Sequence, residues 1–342
     1  MNASNDRSRR VIIPADIHPS ALRGAGSGLT VCLLEGETMG TYWRCHFQQP
    51  TDIPERRVRE CIERSFGLVV QQMSHWDEHS ELSRFNASPE NQAMRLSPEF
   101  FTVLEKSLTI AELTDGAYDP TVGKLVSLNG FGPTPSATQT QSDFSNAHRG
   151  WKQISLNPTD QTARHDGHCH LDLSSIAKGY AIDLASSRLL RLGIENHLLE
   201  IGGEFIGHGC KPDGQPWWTV LDPLGGQSNQ QTEEIVIAMC GIALATSGIA
   251  ENQIESEGRI THHLIDPSTG HCTSGNLLAV SVIASTCMEA DAWATALFIL
   301  GREKAKHLAE QQKIAASFTF IEDEILTESH TLAFSEMLDD DF

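Results

Sequence analysis

Asp172-Leu-Ser-Ser-Ile-Ala-Lys-Gly-Tyr180 gathers a carboxylate, two hydroxyls and a lysine around a predicted helix N-terminus. Backbone N–H groups at a helix start lack intrahelical partners and the dipole there is positive, so the place suits an anion. Lys178 adds a full positive charge. The run Cys169-His-Leu-Asp-Leu173 before it reads as a strand, and the helix continues through Asp183, Leu184 and Leu189 to Gly193. An ordinary capped helix with an exposed lysine would carry the same residues, so other segments must decide.

Outward from this stretch the chain alternates strand groups with a few helices. Upstream, Leu29–Leu34 and Thr41–Phe47 read as strands. Pro54–Trp76 reads as an amphipathic helix, with Val58, Ile62, Phe66, Val69 and Met73 forming one apolar stripe. A second helix is predicted over Pro98–Thr114, capped by Ser97. Trp151–Leu156 and His168–Leu173 are strand candidates. Downstream, Asn196–Gly207, Pro216–Leu221, Glu234–Leu244, His262–Ile265, Leu277–Ala284 and Ala315–Phe320 with Ile325–Leu326 carry strand character. Ala290–Leu300 reads as a helix stopped at Gly301. Antiparallel-looking strand groups with few helices predict an α+β fold, mostly antiparallel sheets with packed helices. No fixed-period repeat is visible. One domain is expected over 29–330, after a loose arm at 1–28 and before an acidic tail at 331–342; the Ser-, Thr- and Gln-rich stretch 133–146 is its only seam.

The 342 residues carry a formal net charge of -20, which argues against a nucleic-acid or anionic-membrane surface. An acidic protein that handles a phosphorylated ligand needs local compensation from a metal ion or basic side chains. The eight cysteines form no Cys-x-x-Cys pair, which suits buried thiols in a reducing compartment. Cys169 with His168 and His170 are strand neighbours that alternate faces, a poor zinc set. Ser8-Arg-Arg10 resembles the start of a twin-arginine export signal, but Val11-Ile-Ile13 ends at Pro14 and supplies no long apolar region. No segment is long enough to span a bilayer. A cytoplasmic protein without membrane insertion is expected.

Asp291 and Thr295, spaced i and i+4, share one face of an Ala- and Leu-rich helix. A buried carboxylate needs a partner. A hard cation such as Mg²⁺, which keeps positions for water and phosphate oxygens, would satisfy both residues; so would a helix cap at Asp291 with Thr295 bonded back to a carbonyl. His263 sits on a short predicted strand that ends in the turn Asp266-Pro-Ser-Thr-Gly270 and is either a general base near a phosphoryl ligand or a structural histidine. Thr38-Met-Gly-Thr41, Gly116–Gly123, Gly130-Phe-Gly132 and Gly202-Gly203 allow close approach of a ligand to main chain. No Walker A or Gly-x-Gly-x-x-Gly motif is present.

Together these segments resemble the FAD:protein FMN transferase family, also called the ApbE family. The resemblance runs from about Thr38 to Gly301. It is carried by Met39-Gly-Thr41, Ser80-Glu-Leu-Ser-Arg-Phe-Asn86, Gly116-Ala-Tyr-Asp-Pro-Thr-Val-Gly123, Asn129-Gly-Phe-Gly-Pro133, Asp172–Tyr180, Glu200-Ile-Gly-Gly-Glu204, Ala245-Thr-Ser-Gly248, His263-Leu-Ile-Asp-Pro-Ser-Thr-Gly270 and Asp291-Ala-Trp-Ala-Thr-Ala-Leu297. The resemblance implies a T-fold-like core and Mg²⁺-dependent transfer of FMN from FAD to a Thr or Ser hydroxyl of an acceptor flavoprotein, with a phosphoester formed and AMP released. Mg²⁺-dependent hydrolysis of FAD to FMN and AMP, or flavin binding without turnover, are the alternatives.

By the same resemblance Met39, Trp76, Ala117, Tyr118, Asp119, Asp172, Lys178 and His263 contact the flavin nucleotide. Ser175, through its main-chain carbonyl, Asp291 and Thr295 hold Mg²⁺. His263 is the candidate base, Asp266 the other, and His263, Asp291 and Lys178 form the catalytic set. Trp76 stands where the family often has Tyr; its larger ring offers stacking without the hydroxyl. Many family members are exported or lipid-anchored, so the resemblance also admits the periplasm.

Overall fold

Alternation along the strands divides the molecule into layers. The structure, a computed structural model, describes residues 9–14, 30–133, 150–167, 169–226, 234–250, 253–256 and 259–339. Its elements begin with β1 (Arg9–Ile12), β2 (Val31–Thr38), β3 (Thr41–Gln48), α1 (Glu55–Met73), α2 (Glu81–Asn86), β4 (Met94–Arg95), α3 (Pro98–Leu113) and α4 (Gly123–Leu128). The middle holds β5 (Ser155–Asn157), β6 (Thr162–Arg164), α5 (Ala177–Leu192), β7 (His197–Ile201), β8 (Glu204–His208), β9 (Trp217–Val220), β10 (Glu234–Met239), β11 (Ile242–Gly248), β12 (Gln253–Ser256) and β13 (Arg259–His262). It ends with β14 (Leu277–Ala284), α6 (Cys287–Leu300), α7 (Arg302–Gln312), β15 (Ala315–Glu322), β16 (Ile325–His330), α8 (Leu332–Ser335) and β17 (Leu338–Asp339).

An eight-stranded sheet in the order β16-β15-β14-β11-β8-β7-β3-β2 forms the centre, and every pairing in it is antiparallel. Trp43, Cys45 and Phe47 of β3, Leu199 and Ile201 of β7 and Ala243 of β11 point to one face. There they pack on Val58, Ile62, Phe66 and Val69 of α1 and on Ala181, Ile182 and Leu189 of α5. Residues of opposite parity, Leu198, Phe205, Ile242 and Leu244, pack on Trp217, Ile235, Ile237 and Met239 of a second sheet, ordered β17-β1-β10-β9. The period-2 pattern thus buries both faces where both layers cover the sheet. The expected α+β architecture is present, and the apolar stripe of α1 is buried as its spacing requires.

Several stretches differ from their sequence reading. Arg9–Ile12, part of the expected arm, pairs parallel with β10, and Leu338–Asp339 in the acidic tail pairs with it from the other side. Two arginines and the buried pair Val11-Ile12 suffice for a strand once a neighbouring strand offers its edge. The stretch 169–173 is not a strand. Only His170 bridges to Val122; Leu171 instead exchanges both backbone bonds with the Asn86 side chain (2.7 and 3.0 Å), and Asp172 N–H donates to Pro120 O at 2.8 Å. Trp151–Gln153 is a 3₁₀ turn, and only Ser155–Asn157 is strand. β13 stops at His262, one residue short of His263. α6 starts at Cys287, three residues before the predicted start, because Thr286 caps it by accepting from Glu289 N. The seam expected at 133–146 lies outside the described residues beyond Pro133. All eight cysteines are free. Among the described residues no helix is long and apolar enough to cross a membrane.

Candidate active site

One end of the large sheet builds the rim of a cavity. β2 and β3 are joined by Met39-Gly40, with φ of 50° and 75°, and β7 and β8 by Gly202-Gly203, with φ of 54° and 96°. Two-residue turns with both central residues at positive φ match the twist of the strands they join. Met39 therefore accepts an unfavourable backbone conformation at the rim. The two tips touch: Gly202 N–H donates to Tyr42 O at 3.1 Å, and a Cβ on Gly202 would lie 2.9 Å from Thr41 side-chain atoms.

The floor is the crossing of α5 and α6. Each helix supplies a carboxylate to the free N–H groups of the other. Asp183 of α5 accepts from Cys287 N and Met288 N at 2.8 and 2.9 Å, and Asp291 of α6 accepts from Gly179 N at 3.0 Å. Asp291 thus caps the neighbouring helix, not its own, and the anion-favouring start of α5 is occupied by its carboxylate. Burial raises the Asp291 pKa, while the Lys178 charge and the Gly179 bond pull it down. One turn on, Thr295 Oγ1 lies 2.8 Å from Ser247 Oγ. Lys178 Nζ donates to Glu204 Oε1 at 2.6 Å, and Glu204 is only 4% exposed.

The wall beside it is the entry to α5. Asp172 accepts from Ser174 N at 2.8 Å and from Ser174 Oγ, and its Oδ1 lies 3.5 Å from His75 Nδ1. Burial would raise the Asp172 pKa, but His75 and Ser174 outweigh it and bring it to about 2. Ser175 Oγ donates to Tyr118 Oη at 3.1 Å. Burial pushes the Tyr118 phenol well up, so it stays neutral. Asp119 accepts from both Thr121 N (2.8 Å) and Thr121 Oγ1 (2.6 Å), which fixes the loop.

Rim, floor and wall enclose one cavity of about 870 Å³, within the range of small-molecule sites. Met39, Trp76, Tyr118, Asp119, Asp172, Ser175, Lys178, His263, Asp291 and Thr295 all border it. Ala117 does not, and neither does Asp266, whose two carboxylate oxygens accept from Ser268 N (2.7 Å) and Ser268 Oγ (2.9 Å) in a turn. Trp76 is 66% exposed at the mouth. His75, Glu204 and Ser247 border the cavity without having been singled out from sequence. Glu204 and Ser247 stand inside Glu200-Ile-Gly-Gly-Glu204 and Ala245-Thr-Ser-Gly248, which was the available signal for them; nothing marked His75.

The side-chain donors at Asp291 and one turn on are oxygens: a carboxylate and the paired Thr295 and Ser247 hydroxyls. Such donors suit a hard cation that retains water or phosphate ligands. Among the described residues no cluster of three or more His, Cys, Asp or Glu is arranged for a metal. The set here contains one carboxylate, so it is of a different, lower-charge kind.

The ApbE family model matches residues 39–318. The FAD:protein FMN transferase of Vibrio cholerae is 36% identical over 286 residues, 82% of this chain and 85% of that protein. The one from Escherichia coli K12 is 34% identical over 292 residues, 83% of each. The crystal structure of Pseudomonas stutzeri flavinyl transferase ApbE, in its apo form, superposes with a TM-score of 0.81 at 31% identity, covering 90% of this chain and 97% of that one. With most of its length matched in sequence and in structure, this chain belongs to the ApbE family.

Proposed function

We propose that this chain is an FAD:protein FMN transferase. It moves FMN from FAD to a Thr or Ser hydroxyl of an acceptor flavoprotein, with Mg²⁺, forming a phosphoester and releasing AMP. The observation that carries this reading is the convergence of Met39, Asp172, Lys178, His263, Asp291 and Thr295, from separate stretches of chain, on one cavity. Phosphoryl transfer needs positioning and charge stabilisation more than covalent help. Mg²⁺ held by Asp291, Thr295 and the Ser175 carbonyl would supply charge to offset the pyrophosphate. Lys178 adds a second positive charge, steadied by Glu204. His263 takes the proton of the acceptor hydroxyl as that oxygen bonds to the phosphorus of the FMN half. The bond from this phosphorus to the AMP phosphate oxygen breaks, and AMP leaves with the electron pair. Asp266 is engaged in its turn, which supports His263 as the base.

Incubation with FAD, Mg²⁺ and a purified acceptor tests the proposal. Flavin fluorescence that stays with the denatured acceptor, with AMP in equal amount, supports transfer. AMP without labelled acceptor means hydrolysis, and intact FAD means binding alone; either refutes it.

A further inference from the structure

An anionic dinucleotide meets an electrostatic difficulty here. Among the described residues that line the cavity, Asp119, Asp172, Glu200, Glu204, Asp222 and Asp291 stand against a single lysine, Lys178. Lys178 is itself paired with Glu204. The wall carrying Asp172 needs its own compensation, and His75 is placed to give it.

His75 follows Ser74, the C-cap of α1, so its ring sits just past the negative end of a 19-residue helix, where a cation is favoured. Nδ1 lies 3.5 Å from Asp172 Oδ1 and 3.4 Å from Ser174 Oγ. Nε2 is buried with no hydrogen-bond partner on the protein. Both ring nitrogens are donors in an imidazolium; one serves Asp172 and the other is left for a ligand. The ring also contacts Trp76, with centroids 5.3 Å apart and planes tilted by 39°.

We infer that His75 is a charge-compensating and positioning residue of the nucleotide site. As an imidazolium it neutralises Asp172, holds that carboxylate in one orientation and lets an anionic dinucleotide into an acidic cavity. This rests on the flavin reading above and adds to it a group that controls affinity. Burial works against protonation of His75, but the hydrogen bond and charge of Asp172 outweigh it and raise its pKa. His170, which is electrostatically linked to both His75 and Asp172, has its own pKa lowered, chiefly by burial and next by Lys124. A raised pKa means the compensation is complete at mildly acid pH and disappears as pH rises through the folded-state value.

The test is FAD affinity, by calorimetry or fluorescence quenching, from pH 6 to 9 at fixed salt and Mg²⁺. Wild type, His75→Asn and His75→Leu are compared. Asn keeps an N–H near the position of Nδ1 but cannot titrate. Wild type should weaken about five- to tenfold across the range, the scale of one nearby charge. His75→Asn should be flat, near the wild-type high-pH affinity, and His75→Leu weaker still; the losses should fall on KM for FAD more than on kcat. A His75→Asn protein with the wild-type slope, or a wild type that binds FAD with no slope, overturns the inference and leaves the flavin reading standing. A wild type that binds no FAD at any pH removes both. An NMR titration of wild-type His75 needs no variant: an imidazole pKa at or below the ordinary histidine value overturns the inference directly.

Discussion

Gly179→Ala gives the sharpest test of how the site is held. A Cβ at Gly179 would lie 2.3 Å from Cys287 O, 2.6 Å from Cys287 C and 2.8 Å from Met288 N. These are backbone atoms at the start of α6 and cannot rotate away. Ordinary contact begins near 3.4 Å, so α6 must retreat by about 1 Å for the methyl group to fit. That retreat stretches the 3.0 Å bond from Gly179 N to Asp291 beyond useful range and strains the two bonds accepted by Asp183. Overpacking costs about 1–3 kcal/mol, and losing a hydrogen bond to a charged group about 1.5–3 kcal/mol. Against this, replacing Gly by Ala inside a helix gains about 1 kcal/mol. The net expectation is a loss of about 2–4 kcal/mol, or for a chain of this length a melting temperature lower by roughly 3–6 °C. Thermal unfolding followed by circular dichroism, with FAD-dependent labelling measured on the same sample, reads both effects. The sign decides: helix propensity alone predicts stabilisation. A Gly179→Ala protein that melts above wild type and labels its acceptor normally would refute the argument that a bare backbone here sets the helix crossing.

Three further outcomes follow from the same geometry. Asp291→Asn keeps an acceptor for Gly179 N–H but removes a buried charge, so the free protein should melt at or above the wild-type temperature while acceptor labelling falls at least about 100-fold; labelling within a few-fold of wild type would sink the metal assignment. His263→Ala should slow transfer about 100-fold or more with little change in FAD affinity by calorimetry; loss of FAD binding would make it a binding residue. Asp183 has its pKa raised to about 7, first by burial and then by Glu289 and Asp291, against the pull of its two backbone bonds. The folded state therefore keeps a proton that the unfolded chain loses from the ordinary aspartate value of 3.8 upward, and wild-type stability falls as pH rises through that window. Asp183→Asn does not titrate and should be more stable than wild type at pH 8, by a few kcal/mol at most, and no more stable at pH 4; urea unfolding at the two pH values checks it, and a wild type that is the more stable at pH 8 would contradict it.

How far the sequence could be read depends on where each interaction lies along the chain. The stripe on α1 is a local pattern and stands where it was expected, whereas Asn196–Gly207, read as one stretch of strand character, is a hairpin turning at Gly202-Gly203. The stretch 169–173 misled because alternating apolar residues also fit an irregular segment, provided that a distant side chain supplies the missing ladder; Asn86 does so, and a single sequence cannot display that pairing. α7 was missed because Arg302–Gln312 is polar almost throughout and buries only Ala305 and Ala309. His75 and Glu204 were missed for the same long-range reason. Each acquires its chemistry from a partner in another segment, Asp172 for one and Lys178 for the other.

The short motifs that signal the family are scattered along the chain but not at random in the fold. Met39-Gly40 and Gly202-Gly203 are turns at one end of the central sheet, Ser247 lies near the end of β11, and Gly179 and Asp291 sit in the opening turns of α5 and α6. Turns and helix starts are where main chain is free of ladder or helix bonds and can be offered to a ligand. A fold that brings such ends together creates a polar, adaptable surface over an apolar core, whereas strand middles offer only packing. The reciprocal capping of α5 and α6 then fixes the Asp291 carboxylate against the other helix's amide. It does so without consuming Lys178, which Glu204 holds from the rim. On this account the position of Asp291 is set by Gly179 and Asp183 before any ligand arrives, so variants at those two residues should alter FAD-dependent turnover without touching the nucleotide.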